Sequence, residues 1–199
     1  MPIDYKNKII FIHIPRNAGT SILRSFEMDC TGHHRWDDYK HLLKNDWNEY
    51  KKFCVFRDPL KRFISSYNYA SMEKSFWHPD IAGIHKDYDV CKKLDINGIA
   101  RLLEKGVELW HESWIPQNYW IQGLDDILIL KYENISLDIQ KVYPNASLYY
   151  DNVSEKLSHN ITDYTKQFIR EFYKEDYEIM EVVKCLKEMM LKELIMFLY

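Results

Sequence analysis

Two short apolar runs constrain this chain most, because each passes directly into the same kind of turn. Lys8 to His13 is isoleucine-rich and stops at Pro15; Arg16, Asn17 and Ala18 follow, and Gly19, Thr20 and Ser21 lead into a helical pattern through Ile22, Leu23 and Phe26. A second run, FCVF from Phe53, stops at Arg57, with Asp58 placed to cap and Pro59 suited to a first helical position. Leu60, Phe63, Ile64 and Tyr67 then recur at helical spacing on one face. Strands that are apolar throughout are buried on both faces, as in a parallel sheet. The expected class is therefore α/β, a central parallel sheet with helices on both faces. Ligands of such sheets gather beyond the carboxyl ends of the strands, where both turns fall.

The remaining chain extends this pattern. Ile127 to Leu130 reads as another buried strand, leading into a helix over Ile135 to Val142, and DINGIARLLEKG reads as a capped helix stopped by Gly106. After Thr162, a plausible N-cap, Tyr164, Phe168 and Phe172 share one helical stripe, and Tyr177 to Tyr199 is a long amphipathic helix or helix pair. The stretch from Ser71 to Asn118 is aromatic and less periodic, and is expected to supply loops and helices on an acceptor side. No repeat, linker or low-complexity tract interrupts the 199 residues, so one domain over 1–199 is expected, with C-terminal helices from about 162.

A net charge of -3, with 27 Lys+Arg against 30 Asp+Glu, argues against a general nucleic-acid binder and makes any basic site local. Cys30, Cys54, Cys91 and Cys185 are dispersed, without the spacing of a zinc site or a disulfide framework, and read as reduced thiols. No signal peptide or membrane span is evident, so a cytoplasmic location is expected. The sequons at Asn134, Asn145, Asn152 and Asn160 then read as chance triplets in an Asn-rich chain.

A backbone that leaves a strand, passes a glycine and opens a helix beside hydroxyls and an arginine suits an anion. Neither G-x-x-x-x-G-K-[ST] nor G-x-G-x-x-G is present, which disfavours a nucleotide kinase or a dinucleotide enzyme. The plain alternatives are a simple helix start at Thr20 and Ser21, and an Arg57 paired with a carboxylate. Two anion-type turns on neighbouring units outweigh them.

These two turns resemble those of the sulfotransferases that use 3'-phosphoadenosine 5'-phosphosulfate, especially the carbohydrate branch that includes the heparan 2-O-sulfotransferases. PRNAGTS resembles the loop that wraps the 5'-phosphosulfate in that family, with Arg16 at its usual lysine and Asn17-Ala18 at a pair of small residues. Arg57, Asp58, Pro59, Arg62, Ser65 and Tyr67 match R-D-P-x-x-R-x-x-S-x-Y. TGHHRW, ILILKYENISLDI and KLSHNIT are similar to later family elements, so the likeness extends over nearly the whole chain. It implies a P-loop-NTPase-like sulfotransferase fold and transfer of a sulfuryl group to an acceptor hydroxyl, with 3',5'-bisphosphoadenosine as product and no metal. It further implies cofactor contacts from Arg16, Asn17, Ala18, Gly19, Thr20 and Ser21, a 3'-phosphate held by Arg57 and Ser65, and a late-loop contact from Ser158. His33, in the Gly32-His33 element, would be the base, with His34 its rival; Arg16 would act electrostatically, because a guanidinium stays charged. Trp77, Trp110, Trp114 and Trp120 suit a carbohydrate acceptor. The alternatives are a phenol or tyrosine acceptor, or a bisphosphoadenosine-binding module without transfer. Oligomeric state is not legible.

Overall fold

The computed structural model describes residues 1–29, 32–73, 85–149 and 158–185. Four strands lie in the order β1 (Ile3–Asp4), β2 (Ile9–Ile12), β3 (Lys51–Phe56) and β4 (Leu128–Lys131). The pairs β2–β3 and β3–β4 are parallel, in the register Ile12 to Cys54 and Val55 to Leu130, whereas β1 adds an antiparallel edge that the sequence reading did not anticipate. Two residues between turn-forming neighbours are too short to show a period.

Alternation along β2 and β3 builds one core on each face of the sheet. Ile10, Ile12, Cys54 and Phe56 pack with Tyr39, Trp47 and Trp120 on one side. Ile9, Phe11, Phe53 and Val55 pack with Ile22, Met28, Ile135 and Ile139 on the other. The first side is covered by α2 (Trp36–Leu43), whose Tyr39 hydroxyl donates to the carbonyl of Phe11 at 3.1 Å. The second is covered by α1 (Gly19–Ser25). α3 (Pro59–Ala70) starts as expected, with the Asp58 carboxylate accepting the N–H of Lys61 at 2.8 Å and Pro59 at the first helical position.

A third core gathers α3 with α4 (Tyr88–Lys93), α5 (Ile96–Glu104) and α7 (Asp163–Phe172), the last two capped by Asp95 and Thr162. Two expectations change here. The helix expected over Ile135 to Val142 is α6 (Ile135–Asp138) followed by a tighter turn at Ile139–Lys141, and Pro144, which lacks an N–H, keeps the segment from continuing as helix. On α7 the buried positions are Thr165, Phe168 and Ile169, so of the expected stripe Phe168 is buried while Tyr164 and Phe172 are exposed. The Tyr164 hydroxyl donates to Glu104 at 2.6 Å and stays at the rim, while the exposed Thr162 donates to the hydroxyl of the buried Thr165 at 3.0 Å. A final helix, α8 (174–185), follows, and the rest of the expected C-terminal helix lies outside the described residues.

Close packing at the first turn demands glycine. A Cβ on Gly19 would lie 1.7 Å from Nε2 of the buried His13, at the foot of α1. Gly19→Ala should therefore destabilise the fold by roughly 1–3 kcal/mol, the usual range for overpacking. In a His13→Ala background most of that penalty should vanish. Urea unfolding of the four proteins in this cycle checks it, and equal penalties in both backgrounds would refute the steric account.

Candidate active site

Because β2 and β3 are parallel neighbours, the turns that follow them sit side by side. In the first, Arg16 and Ala18 have φ of 69° and 62°. Two left-handed non-glycine residues so close together are strained, and such backbone forms concavities of N–H groups. No side chain caps α1. Asn17 holds the turn down, its Nδ2 donating to the Val55 carbonyl and to Gln117 Oε1, both at 2.6 Å. Gln117, fully buried, also serves the second turn: its Oε1 accepts the N–H of Arg57 and its Nε2 donates to the Arg57 carbonyl, both at 2.9 Å. Asp176 of α8 fixes Gln117 in turn, accepting its N–H and that of Asn118 at 2.8 Å.

Three arginines converge on these turns. Arg16 donates from Nε and Nη2 to the Ser65 hydroxyl at 3.2 and 3.1 Å and lies 4.4 Å above the Tyr69 ring. Arg57 donates to the carbonyl of Arg16 at 3.1 Å and stacks 4.2 Å from the centre of Tyr132. Arg62, buried, donates to the carbonyls of Pro15 and Ile115 at 3.1 and 2.9 Å. Among the described residues no carboxylate forms an ion pair with any of them; Glu133, Asp58 and Asp176 act only from greater distance. Arg57 Nε and Arg62 Nη2 are buried without a hydrogen-bond partner. Burial lowers the affinity of all three for protons, and at Arg16, pushed down to about 10, the charges of Arg57 and Arg62 add to it. All three remain cationic at neutral pH. Unneutralised cations with unused donors fit an anion with phosphate-type oxygens.

Beside the arginines lies a row of histidines. The His33 ring is 4.6 Å from His13 and 6.1 Å from His111, which is 4.8 Å from His85. His33 Nδ1 is 2.8 Å from the Glu112 carboxylate, which the contact holds below its ordinary pKa. Nδ1 is thereby the donor, and Nε2 is the basic nitrogen. His34 turns the other way, edge-on to Tyr39 and 3.9 Å from Asp38. Among the described residues no group of His, Cys, Asp and Glu is arranged to hold a metal ion.

The arrangement brings together Arg16, Ser65, Arg57 and the loop over Ala18 to Ser21, but Ser65 contacts Arg16, not Arg57. Asn17 faces inward, so any contact it makes to a ligand is through its backbone. Ser158 is exposed; its neighbour His159 reaches α3, meeting Asn68 and standing edge-on to Tyr67. Trp114 and Trp120 are core, Trp110 is exposed, and Trp77, His78 and Cys30 lie outside the described residues. Cys54 and Cys91 are buried free thiols and Cys185 an exposed one. Sequence reasoning missed Gln117, Asp176 and Glu112.

Residues 1–84 match the model of the sulfotransferase family. That match spans both turns and Gly32-His33 and supports sulfuryl-transfer chemistry; the likeness traced through KYENI and the late loop lies beyond it. No curated protein and no solved structure matches the chain. Among the described residues no helix is long and apolar enough to cross a membrane.

The histidine row sets an acid limit on stability. Burial pushes His111 down to about 3, helped by His85 and His33; burial also holds His13 well below its ordinary value and lowers that of His85. With folded values depressed, their stabilisation is complete above the unfolded pKa and is lost as pH falls through it. At about pH 5, His111 alone should cost about 2 kcal/mol relative to neutral pH, from an unfolded value near 6.5. Melting temperature should fall steadily on acidification from about pH 7.5 to 5; a flat profile would contradict the neutral buried row.

Proposed function

We propose that the chain transfers a sulfuryl group from 3'-phosphoadenosine 5'-phosphosulfate to an acceptor hydroxyl on a carbohydrate. The observation that carries this reading is the convergence of Arg16, Arg57 and Arg62 on two adjacent strand-end turns without a carboxylate ion-pair partner among the described residues. Two separate basic positions suit a donor that bears phosphate at both 3' and 5' sites. Arg57 with Ser65 would hold the 3'-phosphate. The loop over Arg16, Asn17, Ala18, Gly19, Thr20 and Ser21 would hold the 5'-phosphosulfate, and Ser158 would approach from the late loop. Arg16, part of the first turn and bonded through its guanidinium to Ser65, would serve both subsites.

The donor supplies an activated sulfur–oxygen bond, and the chain supplies position and charge. His33 would take the acceptor proton on Nε2, oriented by Glu112, as the acceptor oxygen bonds to sulfur. Arg16 would stabilise the charge left on the phosphate oxygen. An acceptor face is offered by Trp110, 62% exposed, with the Lys86 ammonium 3.3 Å from its ring centre, and by Tyr119 beneath Arg35. Aromatic faces with polar edges suit sugar rings.

Calorimetry should show far tighter binding of 3',5'-bisphosphoadenosine than of 5'-AMP, and Arg57→Ala should lose about 2 kcal/mol of the former. Equal affinities would end the assignment, while binding with no transfer to any glycan or phenol would identify a nucleotide-binding module.

His33→Ala should bind the bisphosphate normally yet transfer roughly 10² to 10⁴-fold more slowly. His34→Ala should keep most activity, since its ring faces Asp38 and Tyr39. Single-turnover rates decide between them, and the reverse pattern would make His34 the base.

A further inference from the structure

His85 and His111 have no part in the roles above, yet their tautomers are fixed. His85 Nδ1 accepts the N–H of Asp87 at 3.1 Å, with the Asp87 carboxylate beyond hydrogen-bond reach at 3.8 Å, and His111 Nδ1 accepts the N–H of Ser113 at 3.0 Å. A ring nitrogen that accepts carries the lone pair, so in the neutral imidazole the proton sits on Nε2. His33 is set the opposite way, with Nδ1 against a carboxylate. Within one cluster, therefore, one histidine is set to accept a proton at Nε2 and two are set to offer an N–H.

The offering pair is built in advance. Asp87, buried, accepts the N–H groups of Trp110 and His111 at 2.7 and 3.0 Å and the indole N–H of Trp114 at 3.0 Å, which locks the His111 segment to the His85 segment. His85 is itself 7% exposed, and its Nε2 is buried without a hydrogen-bond partner. Its ring stands edge-on to Tyr69 at 5.3 Å, and Tyr69 is the ring on which Arg16 lies. A buried donor left unmade is costly, and next to a guanidinium its fitting partner is an anionic oxygen.

We propose that His85, supported by His111, donates a neutral Nε2–H hydrogen bond to the oxygens of the sulfuryl group during transfer. This rests on the sulfotransferase reading and adds a catalytic contact to it. An uncharged donor stabilises oxygens whose charge is rising without adding a further cation beside Arg16, and it takes no proton from the acceptor in competition with His33. The lowered pKa values of both rings keep them in this neutral form at physiological pH.

The test compares His85→Phe, which removes the donor and keeps a ring, with His85→Gln, which retains an N–H. Both are checked by circular dichroism, by calorimetry with 3',5'-bisphosphoadenosine, which lacks the sulfuryl group, and by single-turnover transfer from the phosphosulfate. His85→Phe should bind the bisphosphate within about twofold of wild type and transfer roughly 10²-fold more slowly, with part of the rate restored in His85→Gln. Wild-type rates in His85→Phe would overturn the proposal, as would parallel losses of bisphosphate affinity and rate that Gln does not relieve. Failure of the wild-type protein to bind the bisphosphate would overturn the sulfotransferase reading itself, and the proposal with it.

Discussion

The site depends on the side-chain amide of Gln117. Its oxygen accepts from the Asn17 amide and the Arg57 backbone, and its nitrogen donates to the Arg57 carbonyl and to Asp176 at 3.3 Å. An amide offers two acceptor and two donor positions, and this one uses all four away from water. Inside a protein such a network is strong when complete and costly when broken. It therefore sets the spacing of two turns that belong to different β-loop-α units. Arg62 reinforces the same geometry, tying Pro15 at the start of the first turn to Ile115, two residues before Gln117.

This rigidity permits an electrostatic arrangement that a softer frame would relax. Three guanidinium groups share a small volume, partly desolvated, and meet mainly carbonyls, a hydroxyl and aromatic faces. Carbonyls and rings position a cation without neutralising it. The left-handed backbone at Arg16 and Ala18 is a further unfavourable feature concentrated at the same place. Burial, mutual repulsion and backbone strain thus coincide at one locus, and an anion relieves the repulsion directly.

Local pattern made much of this legible and long-range pairing made the rest illegible. The apolar runs at Ile9 and Phe53, the Asp58 cap and the Arg57 and Arg62 positions are each set by a few neighbouring residues, and each stands where the sequence placed it. Gln117 and Glu112 are ordinary polar residues in an aperiodic stretch. Their importance comes from partners 60 and 79 positions away, Arg57 and His33. Tyr164 follows a related rule: helical spacing places it on a stripe with the buried Phe168, but its hydroxyl meets the Glu104 carboxylate and keeps that end of the stripe at water. Ser65 was legible as a hydroxyl on the inner side of α3, while its partner Arg16 followed only from the chain's path through the first turn.

The histidines show why residue type alone does not determine a role. Rings of the same chemistry lie within a few ångströms of one another, and the difference among them comes from what bonds Nδ1: a carboxylate at 2.8 Å for His33, backbone N–H groups for His85 and His111, with the Asp87 carboxylate farther off, 3.8 Å from His85 Nδ1. A carboxylate favours a proton on Nδ1 and leaves the basic lone pair at Nε2; an N–H forces the converse. Adjacent His33 and His34 are divided in the same manner by geometry, because successive residues of an extended segment point to different sides and only His33 meets the row of rings beside Arg16. The backbone of the 85–87 and 111–113 segments thus acts on the chemistry of the cluster as directly as any side chain. Its N–H groups decide which nitrogens can accept a proton, and Asp87, by holding those two segments together, keeps that decision the same through every fluctuation that leaves its three hydrogen bonds intact.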